Sequence, residues 1–202
     1  MDVSKVDYSS YLNIEGTKVI GLSVNEEGYY YYQGRKLRIP AGITEIAESA
    51  FANNRYLRKI FVSDNALTII RRSAFSNSQV QYFEFLDNSI KTIEYEAFLN
   101  CCLNAKDYNA NFKLPIGLEV IGEGAFNGCF PSQVGGEVTV YIPYTVTSMG
   151  RFAIAHFGIN NATIQIGDSE NLSALTLIKE DISVGIGSMV SNPIIHSNRS
   201  AS

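Results

Sequence analysis

Apolar positions along this chain recur as a fixed phrase rather than as one helical or strand period. The phrase reads IPAGITEIAESAF at 39–51, SDNALTIIRRSAF at 63–75, LDNSIKTIEYEAF at 86–98 and LPIGLEVIGEGAF at 114–126. A degenerate fifth copy, IPYTVTSMGRFAI, lies at 142–154. The copies align without gaps. Each closes on Phe51, Phe75, Phe98, Phe126 or Ile154, with an alanine just before it. Five residues earlier stands Ile46, Ile70, Ile93, Ile121 or Met149, and eight earlier Ile43, Leu67, Ile90, Leu118 or Val146. The head of the phrase is Pro40, Asp64, Asp87, Pro115 or Pro143, and successive closing residues are 24, 23, 28 and 28 apart.

Between the phrases lie stretches with alternating character and β-branched or aromatic content: LRKIFV at 57–62, VQYFEF at 80–85, NFKL at 111–114, VTVYI at 138–142 and ATIQI at 162–166. That pattern predicts short strands. Pro and Asp at the phrase heads end them, since Pro cannot donate to a ladder and Asp favours turns. Each unit therefore reads as strand, turn, then a short helical or irregular return to Ala-Phe. A single unit cannot bury its own apolar edge, so the units must stack as coils of a solenoid around a continuous interior.

Three residues after each closing Phe comes Asn54, Ser78, Cys101 or Cys129. With that column, the phrase resembles the BspA-like class of leucine-rich repeats, whose pattern runs Ile-Pro, Val-Thr-x-Ile-Gly, Ala-Phe, Cys, then a leucine-bearing strand. The resemblance covers about residues 37–166. Asp64 and Asp87 depart from it in place of Pro, as do Ile154 in place of Phe and the insertions NAKDYNAN and FPSQVGGE. It implies an α/β repeat fold: a right-handed leucine-rich-repeat solenoid, here of about five coils with a parallel sheet on one face. It also implies adhesion or protein recognition, often on bacterial or protist surfaces, and no chemistry.

The solenoid is assigned to residues 37–170. Residues 1–36 are expected to form an N-terminal arm and a hairpin cap, the hairpin running over 19–38 around Asn25-Glu26-Glu27-Gly28. Two of the four tyrosines Tyr29 to Tyr32 would cover the open end of the interior. Residues 171–202 carry no repeat and four charged residues, Lys179, Glu180, Asp181 and Arg199. They fit either a C-terminal cap or an arm that packs on another subunit.

Composition narrows the function. The 202 residues are 46% hydrophobic and 18% charged, which predicts a folded chain. The net charge of −4 argues against a nucleic-acid partner. It is unevenly spread: residues 35–72 hold eight Lys or Arg against Glu45, Glu48 and Asp64. No apolar run is long enough to span a bilayer, and MDVSKVDYSSYLNIEG has no apolar core of a signal peptide.

Catalytic candidates are sparse, and no enzyme activity, cofactor or metal is expected. His156 and His196 lie on different units. Cys101 and Cys129 share a column one coil apart and read as buried thiols or as a disulfide; Cys102 stands beside them. Gly122, Gly124 and the Gly-Ile-Gly at 185–187 lack the lysine and strand–loop–helix setting of a phosphate loop.

A recognition surface is the stronger expectation. If Leu57, Ile60, Val62, Val80, Phe83 and Phe85 face inward, the outward row is Lys59, Phe61, Tyr82, Glu84, Lys113, Thr139, Tyr141 and Gln165. Of these, Lys59, Phe61, Tyr82, Glu84, Lys113, Tyr141 and Gln165 are the candidate protein-binding residues, since aromatic anchors with a polar rim make interfaces. The expected function is a non-enzymatic interaction or adhesion module for a protein partner. The alternative is an assembly component of a virion or surface layer, packed through its terminal segments. Location follows the same division, cell-surface by resemblance or virion-associated without a leader.

Overall fold

The computed structural model describes residues 11–23, 35–86, 89–101, 103, 111–129, 137–155, 161–167 and 194–196. Fourteen strands fall on them. Five strands of two residues each sit inside the phrases: β4 (Glu45–Ile46), β6 (Ile69–Ile70), β8 (Thr92–Ile93), β10 (Val120–Ile121) and β12 (Ser148–Met149). They pair in parallel, one per coil, so five rungs bound about four full turns. The stretches between phrases supply the longer strands β3 (Lys36–Ile39), β5 (Lys59–Val62), β7 (Tyr82–Phe83), β9 (Asn111–Lys113), β11 (Glu137–Ile142) and β13 (Asn161–Ile166). These form two further parallel sheets, β3–β5–β7 and β9–β11–β13, the latter extended by β14 (Ile194–His196). Each coil thus contributes a strand to two sheets, where the pattern alone predicted one sheet and an irregular return.

A hairpin not expected from the sequence opens the described residues. β1 (Leu12–Glu15) and β2 (Lys18–Leu22) pair antiparallel across Gly16-Thr17, and Gly16 has the positive φ of 60° that a two-residue hairpin turn requires. β2 then runs parallel to β4, with Val19 opposite Ile46. Val19 thereby extends the buried column Ile46, Ile70, Ile93 and Ile121 by one rung and covers its end. β2 and β3 lie in different sheets, so they do not form a hairpin with each other. The turn proposed at 25–28 and the four tyrosines fall outside the described residues.

The return contains no helix among the described residues. It is a run of turns stacked coil on coil. In the first coil Ala50, Ala52 and Asn54 donate to the carbonyls three residues back, of Ala47, Ser49 and Phe51. The alternate amides of Ser49, Phe51 and Asn53 donate onward to Arg72, Ala74 and Ser76 of the next coil, at 2.7–3.0 Å. This zigzag needs left-handed residues at two fixed places: Ser49, Ser73, Glu96, Gly124 and Phe152, then Asn53, Asn77, Asn100 and Gly128. Asn and Gly tolerate that conformation best, which accounts for their recurrence after the closing Phe. Glu96 and Phe152 adopt it at some cost in strain, held there by the inter-coil ladder.

The closing phenylalanines are the axis of the core. Phe51, Phe75, Phe98 and Phe126 stack one per coil, at centroid separations of 5.2, 5.0 and 5.3 Å and interplanar angles of 10°, 9° and 4°. Phe83, Phe85 and Phe112 meet this stack edge-on from the opposite strands. The alanine before the closing residue is fully buried at Ala74, Ala97, Ala125 and Ala153, as crowding there demands, and partly buried at Ala50 in the first coil. Close approach also explains two glycines. A Cβ on Gly122 would lie 2.5 Å from the Glu94 carbonyl carbon, and one on Gly150 would lie 2.3 Å from the Glu123 nitrogen.

The column after the Phe is polar but sealed. Asn54 accepts from the amides of Tyr56 (3.0 Å) and Leu57 (2.8 Å), closing the turn into the next strand. Cys101 donates its thiol to the Phe75 carbonyl (3.0 Å) and lies 3.2 Å from the Ser78 hydroxyl. Cys129 bonds the Phe98 carbonyl in the same way. Both are buried and no disulfide joins them, which decides between the two readings left open by their spacing. Cys102 lies outside the described residues.

Candidate protein-interaction face

The register of the longer strands settles which side chains look outward. Ile60 and Val62 are buried in β5 and Phe83 in β7, with Leu57 and Val80 buried just before them. Lys59 and Tyr82 are exposed, while Phe61 and Glu84 are half-buried. Lys59 stands opposite Tyr82, and Arg38 opposite Phe61. The Phe61 and Tyr82 rings lie 5.6 Å apart at 46°, and the Arg38 guanidinium sits 5.4 Å from the Phe61 centroid. Glu84 turns its carboxylate onto the Val62 amide at 2.7 Å, ending the β5 ladder. Partial burial, and then the Glu84 charge, raise the Tyr82 phenol above its ordinary pKa, so it is a neutral donor at neutral pH.

The other three candidates form a second group. Tyr141 stands in register between Lys113 and Gln165 on the sheet of β9, β11 and β13. The Lys113 ammonium lies 5.5 Å from the Tyr141 centroid. Lys113, Tyr141 and Gln165 line an open depression of about 280 Å³ with Ile116 and Tyr144. Ile116 is 44% exposed, unusual for its type in this fold. The seven candidates therefore gather as two patches, one on β5, β7 and the residues just after β7, the other on β9, β11 and β13. Phe85 and Phe112 bridge the coils beneath them at 5.9 Å.

Lys36 and Arg38 belong to the first patch and were not assigned to it from the sequence. The expected hairpin over 19–38 hid them. The alternation KLRI at 36–39, which matches KIFV at 59–62, is the signal that finds them. β3 pairs with β5 along its whole length, placing Lys36 opposite Lys59.

The opposite face, on the two-residue strands, is electrostatically closed. Lys18 pairs with Glu45 at 2.9 Å, Glu45 with Arg71 at 2.8 Å, and Arg71 with Glu94 at 2.7 Å. Glu94 also accepts the Arg72 amide at 3.0 Å, and Lys91 pairs with Glu119 at 3.3 Å. Arg71, and then Lys18, hold the Glu45 carboxyl at about 2, against the opposing pull of burial, well below the carboxylate range. Arg71 is raised in turn, chiefly by Glu45 and then by Glu94. Two of the eight basic residues of 35–72, Arg71 and Arg72, are thus absorbed by acids one coil away.

No group of His, Cys, Asp or Glu among the described residues could hold a metal ion, and no helix among them is long and apolar enough to cross a membrane. His156 lies outside the described residues. His196 falls on β14, opposite Gln165.

The family model described as "BspA type Leucine rich repeat region" matches residues 22–134 and 104–176, in six copies. No curated protein matches the chain. Among solved structures, the pneumococcal vaccine antigen PcpA is similar at 18% identity and a TM-score of 0.52, over 91% of this chain and 45% of that one. A leucine-rich cell surface protein from Faecalibacterium prausnitzii A2-165 aligns at 18% identity and a TM-score of 0.46, over 93% of this chain and 46% of that one. The chain spans less than half the length of either.

Proposed function

The chain belongs to the BspA-type leucine-rich-repeat family, and from that membership we propose that it is a non-catalytic protein-interaction module whose longer strands make the contact. One observation carries the choice of face. Aromatic and cationic side chains stand in register and partly exposed on β3, β5 and β7, whereas the charges on the two-residue strands are already paired with one another. Phe61, Tyr82 and Tyr141 are the anchors, because rigid aromatic area gives contact at low entropic cost. Lys59, Glu84, Lys113 and Gln165 are the polar rim. The similar pneumococcal structure is that of a vaccine antigen, which supports display at a cell surface and, through it, an adhesive use.

The rival role, a packing unit of a virion or surface layer, would have neighbouring subunits order the terminal segments. β14 instead adds a parallel strand beside β13, with Ile194 opposite Thr163. That pairing favours a tail that caps its own solenoid. The test is selection of binders from a displayed protein library against the full chain, followed by Phe61→Ala, Tyr82→Ser and Tyr141→Ser. Loss of affinity for the selected partners supports the face; partners indifferent to all three substitutions overturn it.

A further inference from the structure

We infer that the first patch, on β3, β5 and β7, takes an acidic protein segment; this rests on the interaction reading above and names the chemistry of the partner. Three observations converge. First, Lys36 stands opposite Lys59 in the parallel register, and like charges placed directly opposite destabilise a sheet. An anionic group seated between them relieves that repulsion.

Second, these cations are left over. Lys18, Arg71, Arg72 and Lys91 all meet carboxylates. Among the described residues no ion pair joins Lys36, Arg38 or Lys59 to an acid, although acids outnumber bases in the chain by four. The Arg38 Nε is buried without a hydrogen-bond partner while its guanidinium rests on Phe61. An unsatisfied buried donor is costly unless something supplies an acceptor.

Third, the cations are interleaved with aromatics. Phe61 and Tyr82 form a contiguous tilted pair beside Lys59, with Tyr82 41% exposed. Charge alone would serve any polyanion. Charge beside an aromatic pair serves a carboxylate-bearing peptide that also brings apolar side chains. A nucleic acid fits less well. Its backbone needs an uninterrupted cationic track, and Glu84 sits in the same row two residues beyond Tyr82.

The experiment measures fluorescence anisotropy of a short labelled peptide of alternating glutamate and tyrosine, titrated with the full chain. The same peptide with glutamine for glutamate and an oligothymidylate of equal charge are run beside it. The acidic peptide is expected to bind at least about tenfold tighter than its glutamine counterpart, and to weaken steeply with added salt. Lys36→Glu with Lys59→Glu should cost about tenfold or more, whereas Lys91→Gln on the paired face should change nothing.

Lys59→Glu alone restores an opposite charge across from Lys36, so its melting temperature should match or exceed that of the parent while its binding falls. Lys59→Gln gives a milder second reading of the same loss. The inference is overturned if the glutamine peptide binds equally well, if the oligothymidylate binds more tightly, if the lysine substitutions leave binding unchanged, or if the acidic peptide does not bind. In the first of these cases, sensitivity to Tyr82→Ser leaves the interaction reading standing while the acidic chemistry fails. Partners from the displayed library that ignore Phe61, Tyr82 and Tyr141 would sink the broader reading by itself.

Discussion

The two faces of this solenoid are built from the same coils and yet use charge in opposite ways. On the face of β2 and the two-residue strands, Lys18, Glu45, Arg71 and Glu94, on those strands or just after them, alternate in sign from coil to coil and neutralise one another. On the longer strands, Lys36 faces Lys59, Arg38 lies over Phe61, and Tyr82 stands clear. The first arrangement pairs its charges internally. The second leaves like charges in register, with no acid of the described residues paired to them. Every coil has to place its charges, and here they are matched between coils on one side, whereas on the other the lysines Lys36 and Lys59 stand in register.

Substitutions can break this comparison at several depths. The largest effect should come from the core that both faces share. Phe98→Ala removes the middle of the phenylalanine stack, where the ring is fully buried, and should cost about 3–5 kcal/mol of unfolding free energy. Chemical denaturation would show it, with both faces lost together; a cost under about 1 kcal/mol would contradict the stacked axis.

Next comes the inter-coil approach. Gly122→Ala drives a methyl group against the Glu94 and Tyr95 backbone and should destabilise by about 1–3 kcal/mol. Gly42 has open space beside it but a φ of 79°, so Gly42→Ala tests strain without any clash. It should lower the denaturation midpoint by less.

The charge ladder sharpens the contrast further. Arg71→Met strips Glu45 and Glu94 of their shared partner and should cost about 1 kcal/mol, because the pairs are partly screened by solvent. The pH dependence has a definite sign. Glu45 is depressed in the folded state to about 2, so its stabilisation is complete above the ordinary carboxylate range. It is lost progressively as pH falls from that range towards 2. Denaturation midpoints across that interval should drop less steeply in Arg71→Met than in the parent. Equal slopes would mean that Arg71 is not what holds the carboxyl down.

The smallest effect on stability belongs to the recognition face. Tyr82→Ser should shift unfolding by less than about 0.5 kcal/mol, since the side chain is exposed and its loss opens no cavity. A much larger cost, read from the same denaturation curves, would mark Tyr82 as a structural residue.

Much of this was legible in the sequence, for a physical reason. A coil is forced to place the same residue type at the same depth, so the Ile, Ala and Phe columns state the core directly, and Ile46, Ile70, Ile93 and Ile121 are indeed in register. Alternation in LRKIFV and VQYFEF gave the inward set at Ile60, Val62 and Phe83. The second sheet was hidden, since strands of two residues show no period. The left-handed turn positions were also obscured, because Ser, Glu, Gly and Phe all occupy the same place. The neutralisation of Arg71 and Arg72 spans 22 to 26 residues, one coil, and a local charge count does not see it. The hairpin across Gly16-Thr17 was missed because that stretch reads as part of a polar arm, although Val19 sits on Ile46 at the end of the interior.

The most direct test of the face assignment is side-chain footprinting by hydroxyl radicals, on the full chain alone and bound to a partner selected against it. Tyr82, Phe61 and Tyr141 report the longer strands, and Tyr95, 38% exposed beside Arg72, reports the turn side of the paired face. Binding is predicted to protect Tyr82 and Phe61 most strongly and to leave Tyr95 as reactive as before. Protection of Tyr95 with Tyr82, Phe61 and Tyr141 unchanged would place the contact on the self-satisfied side and contradict the account.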